Sequence, residues 1–110
     1  MFSEPAFPHG GPKVFVHPPD GLPYTVVVAY LDNCRKNLQA LKDAIERSDY
    51  DFVEVYAHRM KGAGGAYGFP QLTQIGGFIE QASRARNGDA LRKGGAALDA
   101  HLESLQVVEA

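Results

Sequence analysis

The sequence predicts an all-α chain folded as an antiparallel, up-down four-helix bundle, and three observations predict it. Apolar residues recur three and four positions apart in four separate segments. Short polar or Gly/Pro-containing breaks separate those segments. The chain has 110 residues, enough for one domain with one core, so the four stripes have one another to bury against. The expected organisation is an irregular, extended N-terminal arm at residues 1–19, followed by the bundle at residues 20–108.

The arm is set by its breakers. Pro5, Pro8, Pro12 and Gly10-Gly11 oppose regular structure, and His9 among them reads as a solvated tail residue. Val14-Phe15-Val16 is a short apolar run before Pro18-Pro19. With no second strand in view, it is expected to lie extended against the bundle, with His17 in a loop. Asp20 is the candidate N-cap of the first helix, with Pro23 in its first turn, where a missing N–H costs least. Val27, Leu31, Cys34, Leu38, Leu41 and Ile45 then form a stripe that carries the helix to about Ser48. Val26-Val27-Val28 are poor helix formers and leave room for a short extra helix at its start. Cys34 lies on the stripe and reads as a small buried hydrophobe.

Ser48-Asp49-Tyr50-Asp51 is a polar break whose acidic residues suit a helix N-terminus. The second helix is expected to run to about Tyr67 and to end at Gly68, in the place of a glycine C-cap. Pro70 opens the third helix, whose stripe is Leu72, Ile75, Ile79 and Ala82. Its Gly76-Gly77 pair permits either close helix packing or the approach of a partner. Asn87-Gly88 reads as the turn that closes it. Asp89 is then the expected cap of the last helix, striped by Leu91, Gly95, Leu98, Leu102 and Leu105. Short connections force antiparallel neighbours, with the shallow crossing angles of such bundles.

The second helix carries the chemistry. At about 100° per residue, Val53, Tyr56, Met60, Ala63 and Tyr67 fall opposite His58, which therefore projects into water. Asp51, Glu54, Lys61, Gly62 and Gly65 fall on the histidine's side. Glycine inside a helix costs about 1 kcal/mol relative to alanine, and this helix carries Gly62, Gly64 and Gly65. Glycines beside an exposed imidazole let another protein's surface come close. An imidazole offers a nucleophilic nitrogen near neutral pH, and Lys61, one turn on, can lie against an anion held there. These features describe an exposed phosphoryl acceptor reached by a large partner.

The run Ala57-His58-Arg59-Met60-Lys61-Gly62-Ala63-Gly64, with Gly68 ten positions after the histidine, resembles the histidine-containing phosphotransfer (HPt) domain of two-component phosphorelays. Leu72, Ile75, Phe78, Ile79 and Glu80 match the apolar helix ending in an acidic residue that comes next in that family. The resemblance covers roughly residues 20 to 108. One departure is Ala63, where many members have Ser or Thr. The resemblance implies a phosphocarrier rather than an enzyme. His58 would accept a phosphoryl group from a receiver-domain aspartyl phosphate or a kinase, by analogy on Nε2, and pass it to another receiver. Lys61 would stabilise phosphoryl charge, and Val55, Arg59, Gly62 and Gly65 would contribute to docking. The implied partners are response-regulator receiver domains, a hybrid histidine kinase or both, with no cofactor and no metal of its own.

Other functions leave weaker traces. His58, His101, Cys34 and nearby carboxylates such as Glu54 could be metal ligands, but no His or Cys pair has i, i+4 or C-x-x-C spacing. His101, among Leu98, Leu102 and Leu105, is expected at a bundle edge. There is no Ser/His/Asp arrangement, nucleophile elbow or Walker-type phosphate loop, so hydrolysis and ATP-dependent kinase activity have no carrier. The alternative is an HPt-like docking module that binds a receiver or kinase without carrying phosphate. It would need neither His58 nor Lys61. A net charge of −2 without a basic run gives no footprint for nucleic acid. One cysteine, no apolar run of about 18–20 residues and no signal-peptide pattern make a cytoplasmic protein the expectation, and a complete bundle in one chain, which needs no partner to close its core, makes a monomer the expectation.

Overall fold

The computed structural model describes residues 13–109. Residues 1–12 of the predicted arm, His9 included, lie outside them. Four helices are present among the described residues: α1 (Tyr24–Glu46), α2 (Tyr50–Gly64), α3 (Pro70–Arg84) and α4 (Gly88–Ser104). A 3-10 turn at Gly65–Tyr67 extends the end of α2. Each helix packs against its sequence neighbours, and α1 also meets α4, so the four close into a bundle around one core. Val27, Leu41, Val53, Leu72, Ile75, Ile79 and Leu91 are fully buried at its centre.

The arm does have a strand partner. Val14–Val16 forms β1, which pairs in parallel with β2 (Leu105–Val107), register Val14↔Leu105. Val16 and Val107 face the core, while Phe15 stands in solvent. The partner is hidden in the sequence because Leu105 fits the apolar stripe of α4 and so reads as helix. What stops α4 is Arg35 on α1. Its guanidinium donates to the Leu102 carbonyl at 2.7 Å and the Leu105 carbonyl at 2.8 Å, satisfying acceptors that a helix end leaves open. Leu105 then turns extended, with ψ 135.

Three local expectations are corrected. Asp20 is not the N-cap of α1. It sits with Gly21 in a turn closed by Leu22 N–H on the Pro19 carbonyl, and Pro23 is the capping residue, without a side-chain bond. No separate short helix forms at the valines, because complete burial of Val27 holds them within α1. At α4, Asn87 rather than Asp89 is the cap. Its side chain accepts from Ala90 N–H at 3.1 Å, and Asp89 pairs instead with Arg92. Asp49 caps α2 through Phe52 N–H, and Gly68 takes the left-handed φ of 96° expected of a C-cap glycine.

The packing of α2 on α3 decides where the exposed face of α2 points. Val53, Ala57, Met60 and Gly64 are the buried positions of α2, a face turned further toward α3 than Tyr56 and Ala63, which are only half-buried. A side chain on Gly76 would meet Lys61 N at 2.8 Å and the Ala57 carbonyl at 3.0 Å. One on Gly64 would meet Leu72 Cβ at 2.8 Å. These two glycines are internal: they let the helix backbones approach.

Candidate functional site

His58 lies on the solvent side of α2, its side chain 71 % exposed. Four residues beyond Gly76, where α3 runs against α2, Glu80 reaches the imidazole from beneath. Its Oε2 lies 2.7 Å from His58 Nδ1. Glu80 itself is 2 % exposed. A buried carboxylate needs compensation, and three donors supply it. His58 is one, Lys61 Nζ at 3.4 Å from Oε1 is the second, and Arg84 Nη2 at 3.2 Å from Oε2 is the third. Burial pushes the Glu80 carboxyl up, but the His58 hydrogen bond, the Arg84 charge and Lys61 outweigh it, and the group is held below its ordinary value. Glu80 is therefore ionised at neutral pH.

The tautomer is then determined. An ionised carboxylate only accepts, so His58 Nδ1 must carry the proton and donate it. In the neutral ring Nε2 then presents its lone pair to solvent. The arrangement is an oriented imidazole with a free nucleophilic nitrogen and two cations, Lys61 and Arg84, gathered at its supporting carboxylate. It can accept an electrophilic phosphorus from above the helix, at an open cleft lined by Glu54, Val55, His58, Arg59, Glu80 and Arg84.

The glycines divide by role. Gly62 has nothing within 4 Å of where a side chain would begin. Gly65 borders Thr73 Oγ1, which accepts from Gly65 N–H and donates to the Lys61 carbonyl, both at 2.9 Å. That hydroxyl ties the end of α2 to α3. Gly77 leaves a lane along which the Lys61 stem runs. Val55 is 53 % exposed beside His58, and Arg59 lines the same cleft. Phe52, also exposed and stacked on Tyr56, extends this apolar rim, although nothing in the sequence pattern singles it out.

Sequence reasoning misses Glu80 and Arg84 as site residues. In the sequence Glu80 is only the acidic end of an apolar stretch. The signal that could find it is its place directly after Ile79 within that stretch, where burial of a charge demands partners. Arg84, one turn on, is such a partner. His58, His101 and Cys34 are not brought together, and among the described residues no cluster of three His, Cys, Asp or Glu could hold a metal ion. Both His101 and Cys34 are buried.

The four-helix bundle has a counterpart among known families. The sequence profile described as the Hpt domain matches residues 25–107. The chain belongs to the Hpt domain family, whose members serve phosphotransfer in two-component signalling as phosphocarriers rather than enzymes, acting with receiver domains or kinases. Neither curated proteins nor solved structures gave a match. Among the described residues no helix is long and apolar enough to cross a membrane.

Proposed function

We propose that this chain is a phosphorelay carrier in which His58 is the phosphoacceptor. The observation that supports it best is the Glu80–His58 hydrogen bond, which leaves Nε2 as the free nitrogen at the protein surface. A receiver domain presents an aspartyl phosphate above α2. The Nε2 lone pair attacks phosphorus in line, the P–O bond to the aspartate breaks, and the carboxylate leaves with the electron pair. The Nδ1 proton stays on the ring, held by Glu80, which balances the positive charge the ring acquires. Transfer to a second receiver is the same path in reverse. Such transfers depend mostly on positioning and charge neutralisation.

Lys61 lies against the phosphoryl oxygens in this mechanism, moving a short way from Glu80 Oε1. The open position at Gly62 admits the receiver, and Val55, Arg59 and Gly65 border the approach. The contact must form and dissolve repeatedly, so a modest interface suits it. The protein acts as a monomer in the cytoplasm, where its partners are phosphorylated receivers.

The test is transfer from a panel of phosphorylated receiver domains to wild-type protein and to His58→Gln. Alkali-stable, acid-labile phosphate on the wild type alone is expected. Equal labelling of the variant would refute the assignment. Receivers that bind both proteins while neither takes label would establish the docking module instead.

A further inference from the structure

Arg84 does more than help keep Glu80 ionised. It reaches from α3 to two carboxylates at once, donating from Nη2 to Glu80 Oε2 at 3.2 Å and from Nε to Glu54 Oε2 at 3.0 Å. Glu80 Oε2 is the same oxygen that holds His58 Nδ1. Arg84, Glu54 and His58 line one open cleft of about 320 Å³, with Val55, Arg59 and Glu80. The two anchors of the guanidinium are unlike. Glu80 is buried and fixed, whereas Glu54 is 37 % exposed and one of the weak, solvent-screened pairs of a protein surface.

We propose that Arg84 is an exchangeable phosphoryl ligand. In the unphosphorylated protein Glu54 holds it aside. When His58 carries a phosphoryl group, the guanidinium leaves Glu54, keeps its Nη2 contact with Glu80, and places its freed N–H groups on phosphoryl oxygens. No bond to phosphorus forms or breaks in this step; one exposed carboxylate is exchanged for an anion of higher charge. A phosphoryl group offers a guanidinium several oxygens and nearly two negative charges, so the exchange is favourable. Glu54 then has a function as well. It sits four residues before His58 on α2 and sets how readily the cation is released. The consequence is a longer-lived phosphohistidine, on which Lys61 and Arg84 act from two sides. The proposal rests on His58 as the phosphoacceptor.

The lifetime of the phosphorylated protein tests it. Wild type, His58→Gln, Arg84→Gln, Arg84→Lys, Glu54→Gln and the Glu54→Gln/Arg84→Gln pair are phosphorylated with phosphoramidate or a phosphorylated receiver. Label remaining is then measured over time after the donor is removed. Arg84→Gln is expected to shorten the lifetime about threefold or more, with partial recovery in Arg84→Lys, which keeps the charge but not the fork. Glu54→Gln is expected to lengthen it, and that gain should vanish in the double variant. In the wild type, the Arg84 Nε–H NMR signal should move on phosphorylation. A labelled wild type whose lifetime is unchanged by Arg84→Gln would overturn the role of Arg84 alone. So would a Glu54→Gln gain that persists without Arg84, or an Arg84 defect confined to receiver binding. A wild type that takes no more label than His58→Gln would remove the phosphoacceptor itself, and this proposal with it.

Discussion

At the scale of single residues, Glu80 is the group on which the site turns. Its negative charge selects the Nδ1–H tautomer of His58, and its burial fixes where that imidazole points. Glu80→Ala removes the acceptor and lets the ring proton move to Nε2, the nitrogen proposed to attack. Phosphoryl acceptance should then slow about tenfold or more, the scale of a lost hydrogen bond to a charged group. Nitrogen-15 NMR of the histidine should report the changed tautomer directly. A variant with the wild-type tautomer and rate would remove the role given to Glu80. In the proposed mechanism Lys61 acts on the phosphoryl group rather than the ring. Lys61→Ala should slow transfer while leaving receiver affinity little changed, and equal transfer rates would deny it an electrostatic part. His58 and Lys61 are legible in the sequence because helical spacing puts them on one exposed face. Glu80 is not, because its function depends on how α3 meets α2, and periodicity within one helix carries no such information.

At the scale of elements, the contact between α2 and α3 explains why Gly76 stands opposite the Ala57–Lys61 segment. The sequence leaves Gly76-Gly77 open between internal packing and partner approach. The structure separates them: Gly76 is pressed on backbone, and Gly77 faces the Lys61 stem. Gly76→Ala must push the helices apart, at a cost of about 1–3 kcal/mol. It should lower the urea midpoint and also weaken the Glu80–His58 bond, seen as a shift of the His58 nitrogen signals. An unchanged midpoint would contradict the packing described. Helix existence is legible throughout, since each stripe draws on local spacing. The ends are less so. The true cap at Asn87 rather than Asp89, and the strand at Leu105–Val107, depend on backbone geometry and on Arg35 reaching across from α1. Neither leaves a mark in the spacing of apolar residues.

At the scale of the whole molecule, one buried histidine couples the bundle to pH. His101 on α4 is 2 % exposed, its Nδ1 has no hydrogen-bond partner, and burial depresses its pKa below the usual 6.5. The folded state thus binds a proton less readily than the unfolded chain. The stability this contributes is full above 6.5 and is lost as pH falls through the lowered folded value. Glu80, also held below its ordinary 4.5, adds a loss of the same sign further into acid. Urea unfolding measured across pH should show stability declining as pH falls below 6.5, and His101→Leu should flatten the first part of that decline. An unaltered profile in the variant would show that His101 does not carry it. The sequence pattern suggests a bundle edge for His101; in the structure it is instead buried within the inward face of α4, with Leu98 and Leu102.

The most direct measurement is the position of the phosphoryl group on the phosphorylated protein, read by phosphorus–proton correlation NMR of His58. Phosphorus on Nε2, with Nδ1 still protonated, is the expected result. Phosphorus on Nδ1, or on any residue other than His58, would contradict the mechanism built on Glu80.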